Sequence, residues 1–272
     1  MTTYSPTVRR HRLSRELARL RLAAKLDGSD VAARLGWSAS KISWIETDQW
    51  RRPNPRDVAD LLTVYEVEDP VVRDRLLGLA RQARTRGWWA EYKDILRGPL
   101  VEYEAEAVAI RSYEESVVPG LLQTEAYARA LFVGAGRDLV ERRVAARMRR
   151  QQVLDHTRLC VVVEEAALRK QVGGPDTMRS QLQRLLEAVE AGGVRLRVLP
   201  LSEGAHPAMG QAFMMIDFAE DPSIVYQETV AEVLINEDPA TVAEYTRIYD
   251  QAKEAALSVE ASRKLMNRLA AG

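Results

Sequence analysis

Along the first ninety residues, apolar positions recur at helical spacing and are cut into short blocks by turn signals. Leu13, Leu17, Leu20 and Ala24 fall at i, i+4, i+7 and i+11, one face of a helix. Asp27-Gly28-Ser29-Asp30 stops that helix and caps the next, in which Val31, Ala32 and Leu35 point inward and Gly36 ends the run. Ser38 is suited to cap a third helix, whose buried face is Ile42 and Ile45. Pro53-Asn54-Pro55 leads into a fourth helix with Val58, Leu61, Leu62 and Tyr65 inward, and Pro70 opens a fifth with Leu76, Leu79 and Ala83 inward. Arg86-Gly87-Trp88-Trp89 breaks the pattern, which divides the chain into domains 1–87 and 88–272.

The spacing predicts helices again over 98–156. Leu100, Tyr103, Ala107 and Ile110 share a face, Pro119-Gly120 is a break, Thr124 caps a short helix, and residues 138–155 form a long charged helix. The period then changes. Leu159–Val163, Val194–Leu199, Phe213–Phe218 and Ile224–Tyr226 are short apolar runs separated by Gly pairs and Pro222, with helices over Thr177–Ala191 and Pro239–Ala256. The expected fold class is a mainly α N-terminal helix-turn-helix domain followed by an α/β domain with a small sheet.

Gly28 to Thr47 is a twenty-residue window in which small Ala32, Gly36, and apolar Val31, Leu35, Ile42 and Ile45 occupy the places a helix-turn-helix requires. The two helices cross at a small residue, and the turn needs a left-handed glycine. The third helix would then enter the major groove with its N-terminal residues at base edges. Its capping and outward residues are Ser38, Ala39, Ser40, Lys41, Ser43 and Trp44. Lys41 suits guanine or phosphate, the serines suit bases or phosphates, and Ala39 suits a thymine methyl. Two readings of Trp44 stand, contact with sugar and thymine methyls or membership of the core edge. Arg51 and Arg52 follow the helix as fork donors for phosphate. The Arg9–Arg12 run is either a phosphate-contacting arm or a solvated end.

Charge sharpens this picture. The whole chain balances 39 basic against 39 acidic residues, which argues against a polyanion partner. Residues 1–90, however, hold 17 Lys+Arg against 11 Asp+Glu, and residues 91–272 hold 22 against 28. The zero is the sum of a +6 and a −6 part, an asymmetry that points to a nucleic-acid-binding portion joined to an acidic one. The acidic part is expected to face away from DNA. At 46% apolar residues the chain can bury a core, and no run reaches the ~18 residues of a membrane span. A soluble, cytoplasmic protein is expected. The single Cys160, in an apolar run, reads as a small buried hydrophobe, and no Cys/His cluster implies a metal or cofactor. Arg outnumbers Lys 33 to 6, the bias of a GC-rich bacterial genome.

Residues 12–66 resemble the Xre/lambda-repressor-like helix-turn-helix, above all in the run from Leu35 to Glu46. Trp88-Trp89, the run Tyr113 to Thr124, Glu165-Ala166-Ala167-Leu168-Arg169, and Gly204 to Gly210 resemble the actinobacterial Scr1-family antitoxin-like regulators. The resemblance implies a DNA-binding transcriptional regulator with a C-terminal domain of unassigned function, often paired with a small protein encoded nearby. Gly28 departs from the phosphate-gripping Gln common in related repressors. Asp48-Gln49-Trp50 departs from the usual Gly-containing turn and puts the path of Arg51 and Arg52 in question.

For the second half no Gly-x-Ser-x-Gly elbow or phosphate loop occurs, and the three His residues are scattered. Glu164-Glu165 and Glu228/Glu232 lack an identifiable acid/base partner, so no enzyme is expected. Pro119, Gly120, Leu121, Leu122 and Gln123, together with His206 and Met209, are candidates to line a ligand or partner surface, with ordinary interlayer packing as the alternative. In 142–150, Arg142 and Arg149 share one helical face while Arg143, Arg147 and Arg150 share another, which reads as a solvated helix. The expected protein is a homodimeric regulator of a double-stranded operator, with a small protein or ligand on its C-terminal domain. The alternative is an antitoxin-like protein that acts mainly by neutralising a small cognate protein.

Overall fold

Local signals decide the first third of the chain. A computed structural model describes residues 6–50, 52–84, 87–96, 98–219 and 221–271. Five helices, α1 (Pro6–Ala23), α2 (Gly28–Leu35), α3 (Ala39–Glu46), α4 (Pro55–Val64) and α5 (Pro70–Gln82), surround one core. Leu13, Leu17, Val31, Ala32, Ile42, Ile45, Val58, Leu61 and Leu62 fill it, the residues the spacing selects. The side chains of Asp27, Ser38, Asn54 and Asp69 each accept a backbone N–H at a helix start, as short polar N-caps do. Helix α1 begins at Pro6, well before Leu13, so the Arg9–Arg12 run is helical and is neither an arm nor a loose end.

Gly36 ends α2 at φ 65 and ψ 29, and its N–H and that of Trp37 return to Ala33 and Ala32. A Cβ at Gly36 would meet nothing within 4 Å, so the demand is on the backbone alone. Gly36→Ala is therefore expected to destabilise residues 1–91 by about 1 kcal/mol through left-handed strain. A lowered denaturation midpoint with an unchanged DNA preference would show it.

The chain divides into compact units 1–91 and 92–272. In the second, α6 (Leu100–Glu104) leads into β1 (Ala107–Glu114), followed by α7 (Glu125–Leu131) and α8 (Arg137–Arg150). Then come β2 (Arg158–Glu164), α9 (Glu165–Arg169), α10 (Pro175–Glu190), β3 (Val194–Leu199), β4 (Phe213–Phe218), β5 (Ile224–Glu228) and β6 (Val233–Asn236). Two helices, α11 (Pro239–Ala255) and α12 (Val259–Ala271), close the chain. The sheet order is β3-β2-β1-β4-β5-β6. The first three strands are parallel and reached through helical crossovers; the last three add antiparallel.

Three expectations are corrected. Residues 107–114 are not a helix but the central strand β1, buried on both faces. Buried Ser112 and Glu114 interrupt the apolar alternation that would have announced a strand. Strand β6 and helix α12 were not foreseen. Cys160 is half-buried on β2, packed against the core beneath α11, where the Tyr249 hydroxyl donates to its carbonyl. Tyr113, Val162, Met215 and Val225 form that core with Tyr249 and Ala252 of α11. Among the described residues no helix is long and apolar enough to cross a membrane.

Candidate functional site

Ile42 and Ile45 are each 2% exposed, so the rest of α3 faces outward. Ser38 caps it through a hydrogen bond from the Lys41 N–H at 3.3 Å. Ala39, Ser40, Ser43 and Trp44 are exposed, with Trp44 at 57%. At that exposure Trp44 is not part of the core. Lys41 differs from expectation. Its ammonium lies 2.9 Å from Asp57 of α4 and 3.5 Å from the centroid of the Trp37 ring, so it is folded back rather than extended. Arg52 is exposed, and Arg51 lies outside the described residues.

The turn after α3 is held without glycine. Asp48 takes φ 57, and Arg10 donates to both its oxygens at 2.6 and 3.2 Å. Burial by itself raises the Asp48 carboxyl, but hydrogen bonds from His11 and Arg10 outweigh it and hold the group below its ordinary value. Trp50 donates from Nε1 to buried Ser14 at 2.9 Å. Arg21 clamps the end of α3 through Glu46 at 2.6 and 2.8 Å. Arg10 and Arg21 thus fix α3 and the turn that follows it.

In the second unit the Arg143, Arg147 and Arg150 face of α8 is not solvated, whereas Arg142 is exposed. Arg150 pairs with Glu104 of α6 at 2.6 Å, with side chains 13% and 1% exposed. Arg147 donates to Gln123 Oε1 at 2.6 Å, and the guanidinium carbons of Arg143 and Arg147 lie 5.5 and 5.4 Å from the centroid of the Phe132 ring. Burial, then the neighbouring Arg150, push the Arg147 guanidinium down to about 10. A Cβ on Gly120 would sit 3.4 Å from both Arg147 Nη1 and Arg150 Nη2. The Pro119–Gln123 run therefore supports these arginines from behind. Pro119, Leu121, Leu122 and Gln123 are buried and offer no outward surface.

Residues 12–76 match a family described as a helix-turn-helix domain. Residues 98–268 match a family described as a domain of unknown function, DUF5753, over more than half of the chain. The chain belongs to the DUF5753 family. No curated protein and no solved structure matches it.

Within the DUF5753 domain, the ends of β1 and β2 meet the Gly204–Gly210 loop. His206 Nε2 lies 2.8 Å from Glu164 Oε1, which also accepts from the Tyr113 hydroxyl at 2.8 Å. Glu164 thus has the partner that sequence reasoning did not find, 42 residues away. The His206 side chain is 3% exposed, whereas Met209 is 59% exposed. Glu115 accepts the Gly210 N–H at 3.1 Å and ties the loop to the end of β1.

Beneath the arginines, burial pushes the Glu114 carboxyl up from 4.5 to about 7, against a hydrogen bond from Ser112 and the charges of Arg150 and Arg147. The folded chain therefore holds a proton that the unfolded chain has lost between pH 4.5 and about 7, and stability from this group falls as pH rises through that window. Glu114→Gln is expected to remove this slope. Thermal unfolding should find the variant more stable than the parent above pH 7, with the gap closing toward pH 4.5.

Proposed function

We propose that the chain is a sequence-specific transcriptional regulator of the Xre type, whose α3 reads the major groove of an operator. The observation that carries this reading is the outer face of α3: Ala39, Ser40, Ser43 and Trp44 project from a helix whose inner face is locked in a helix-turn-helix core. Their size and hydrogen-bonding capacity suit base edges and thymine methyls. The net positive charge of residues 1–90 supplies the attraction to phosphate, and Lys41 reaches DNA by exchanging Asp57 for a base or phosphate.

In this reading the protein is cytoplasmic, belongs to the actinobacterial Scr1-like regulators, and binds a pseudo-palindrome as a dimer. Its DUF5753 domain is a sensory or partner-binding module rather than an enzyme. The Tyr113–Glu164–His206 group is buried, with Tyr113 at 0% and the His206 side chain at 3% exposure, which suits an anchor for the Gly204–Gly210 loop better than an acid/base pair open to a substrate.

The test is selection from random duplexes with the full chain at low salt. A recurrent motif, with affinity falling steeply as salt rises, is the expected result. No enrichment by the folded protein would overturn the regulator reading. A second reading, neutralisation of a small cognate protein, draws on the excess of six acidic groups over residues 91–272, which suits a basic partner.

A further inference from the structure

A cavity of about 260 Å³ opens beside α8 in the DUF5753 domain. One wall is apolar, built from Leu96, Leu100, Val101 and Phe132. Arg143, Arg147 and Arg150, at i, i+4 and i+7 of one helix, line the cavity as well, together with Glu228. The three guanidiniums are not equivalent. Arg150 is neutralised by Glu104. Arg147 has a neutral partner, Gln123, and feels the Arg150 charge more strongly than that of Glu104, Glu228 or Glu114. Arg143 rests on Phe132. Among the described residues neither Arg143 nor Arg147 has a carboxylate within ion-pair distance.

A guanidinium held out of water without a counter-charge is unfavourable, and a ligand that supplies one is bound in proportion. We propose that this cavity is the binding site of a small monoanionic organic acid, with its anionic head on Arg147 and Arg143 and its apolar body against Leu96, Leu100, Val101 and Phe132. Among the described residues, the carboxylates of Glu104, Glu228 and Glu114 already act on these arginines, which disfavours a polyphosphate and suits at most one added negative charge. The volume lies at the small end for ligand sites. The signature run Pro119–Gln123 gains a role: Gly120 leaves room for two guanidiniums, and Gln123 aims one of them. The inference deepens the sensory reading and rests on it only for any effect on DNA, because binding is measured here without DNA.

The probes are octanoate and 3-phenylpropionate, each with its neutral primary amide, and inorganic phosphate. Binding to the full chain is followed by calorimetry and ligand-observed NMR. At least one carboxylate is expected to bind with a Kd of about 1 mM or tighter, and its amide at least tenfold more weakly. Arg147→Met should weaken the carboxylate tenfold or more, and Arg143→Met, on the half-buried side of the cavity, about threefold. Arg137→Met, at the exposed start of α8, serves as the charge control and should leave binding unchanged. If Arg147→Met does not fold, Arg143→Met carries the test. The proposal is overturned if acids and amides bind alike, if phosphate alone binds, if neither acid binds at about 10 mM, or if the folded arginine variants bind as the parent does. Loss of operator binding with retained acid binding would sink the regulator reading and leave this one standing.

Discussion

Arg150→Ala is expected to destabilise residues 92–272 by about 3–5 kcal/mol, because it leaves a carboxylate in the interior without its partner. Glu104 is 1% exposed and takes two contacts from Arg150, at 2.6 and 3.0 Å. Burial already pushes the Glu104 carboxyl up, and the Arg150 charge is the chief force opposing that rise. Once the guanidinium is gone, the folded state will favour protonated Glu104 more strongly. The loss should therefore be smallest in acid and grow as pH rises, since a group with a raised folded pKa removes stability above its unfolded value. Urea unfolding at several pH values reads both effects. A double variant, Arg150→Met with Glu104→Leu, should recover more than half of the loss, because it removes the stranded charge itself. A loss below about 1 kcal/mol in Arg150→Ala would show that solvent reaches Glu104 and that the buried pair is not a structural requirement.

Ser43→Glu should lower operator affinity by at least about 100-fold while changing stability by no more than about 0.5 kcal/mol. Ser43 is exposed, and its backbone, whose carbonyl accepts from Thr47, holds it in the helix while its hydroxyl faces outward. A carboxylate there keeps the helix intact and sets a negative charge against the phosphate walls of the groove. Trp44→Ala probes the same face by losing apolar contact instead. Lys41 needs a paired experiment. Because its ammonium is held by Asp57, Asp57→Asn should strengthen non-specific binding, whereas Lys41→Ala should weaken selectivity. An Ser43→Glu protein that still bound the selected operator at parent strength would move the interface off α3.

The helix and the outer face of α3 were legible because the signals that set them are local, although Arg10, Arg21 and Ser14, 25 to 38 residues away, hold them in place. Caps act within four residues, the turn needs one glycine, and the inner face repeats at helical spacing. In the acidic half, apolar runs and helix faces were legible but their partners were not. Its arginine row was correctly divided into two faces, Arg142 with Arg149 and Arg143 with Arg147 and Arg150, but spacing cannot say which face a neighbour will cover. Glu104, 46 residues away, decides that.

By itself the amino-acid sequence determined five helices, the caps of the second and third, the left-handed Gly36, the outward Ala39, Ser40, Ser43 and Trp44 of α3 and the runs that become β2 to β5. These follow from steric and hydrogen-bonding rules that act over a few residues. Tertiary structure alone decided that 107–114 is the central strand, because a segment buried on both faces loses the alternation that marks a strand. It also decided that Lys41 turns to Asp57, that Glu164 meets His206 and Tyr113, and that Arg147 is left beside a cavity with a neutral partner. Each of these is set by which distant charge or hydroxyl arrives within hydrogen-bond reach, and chain topology, not local pattern, governs that arrival.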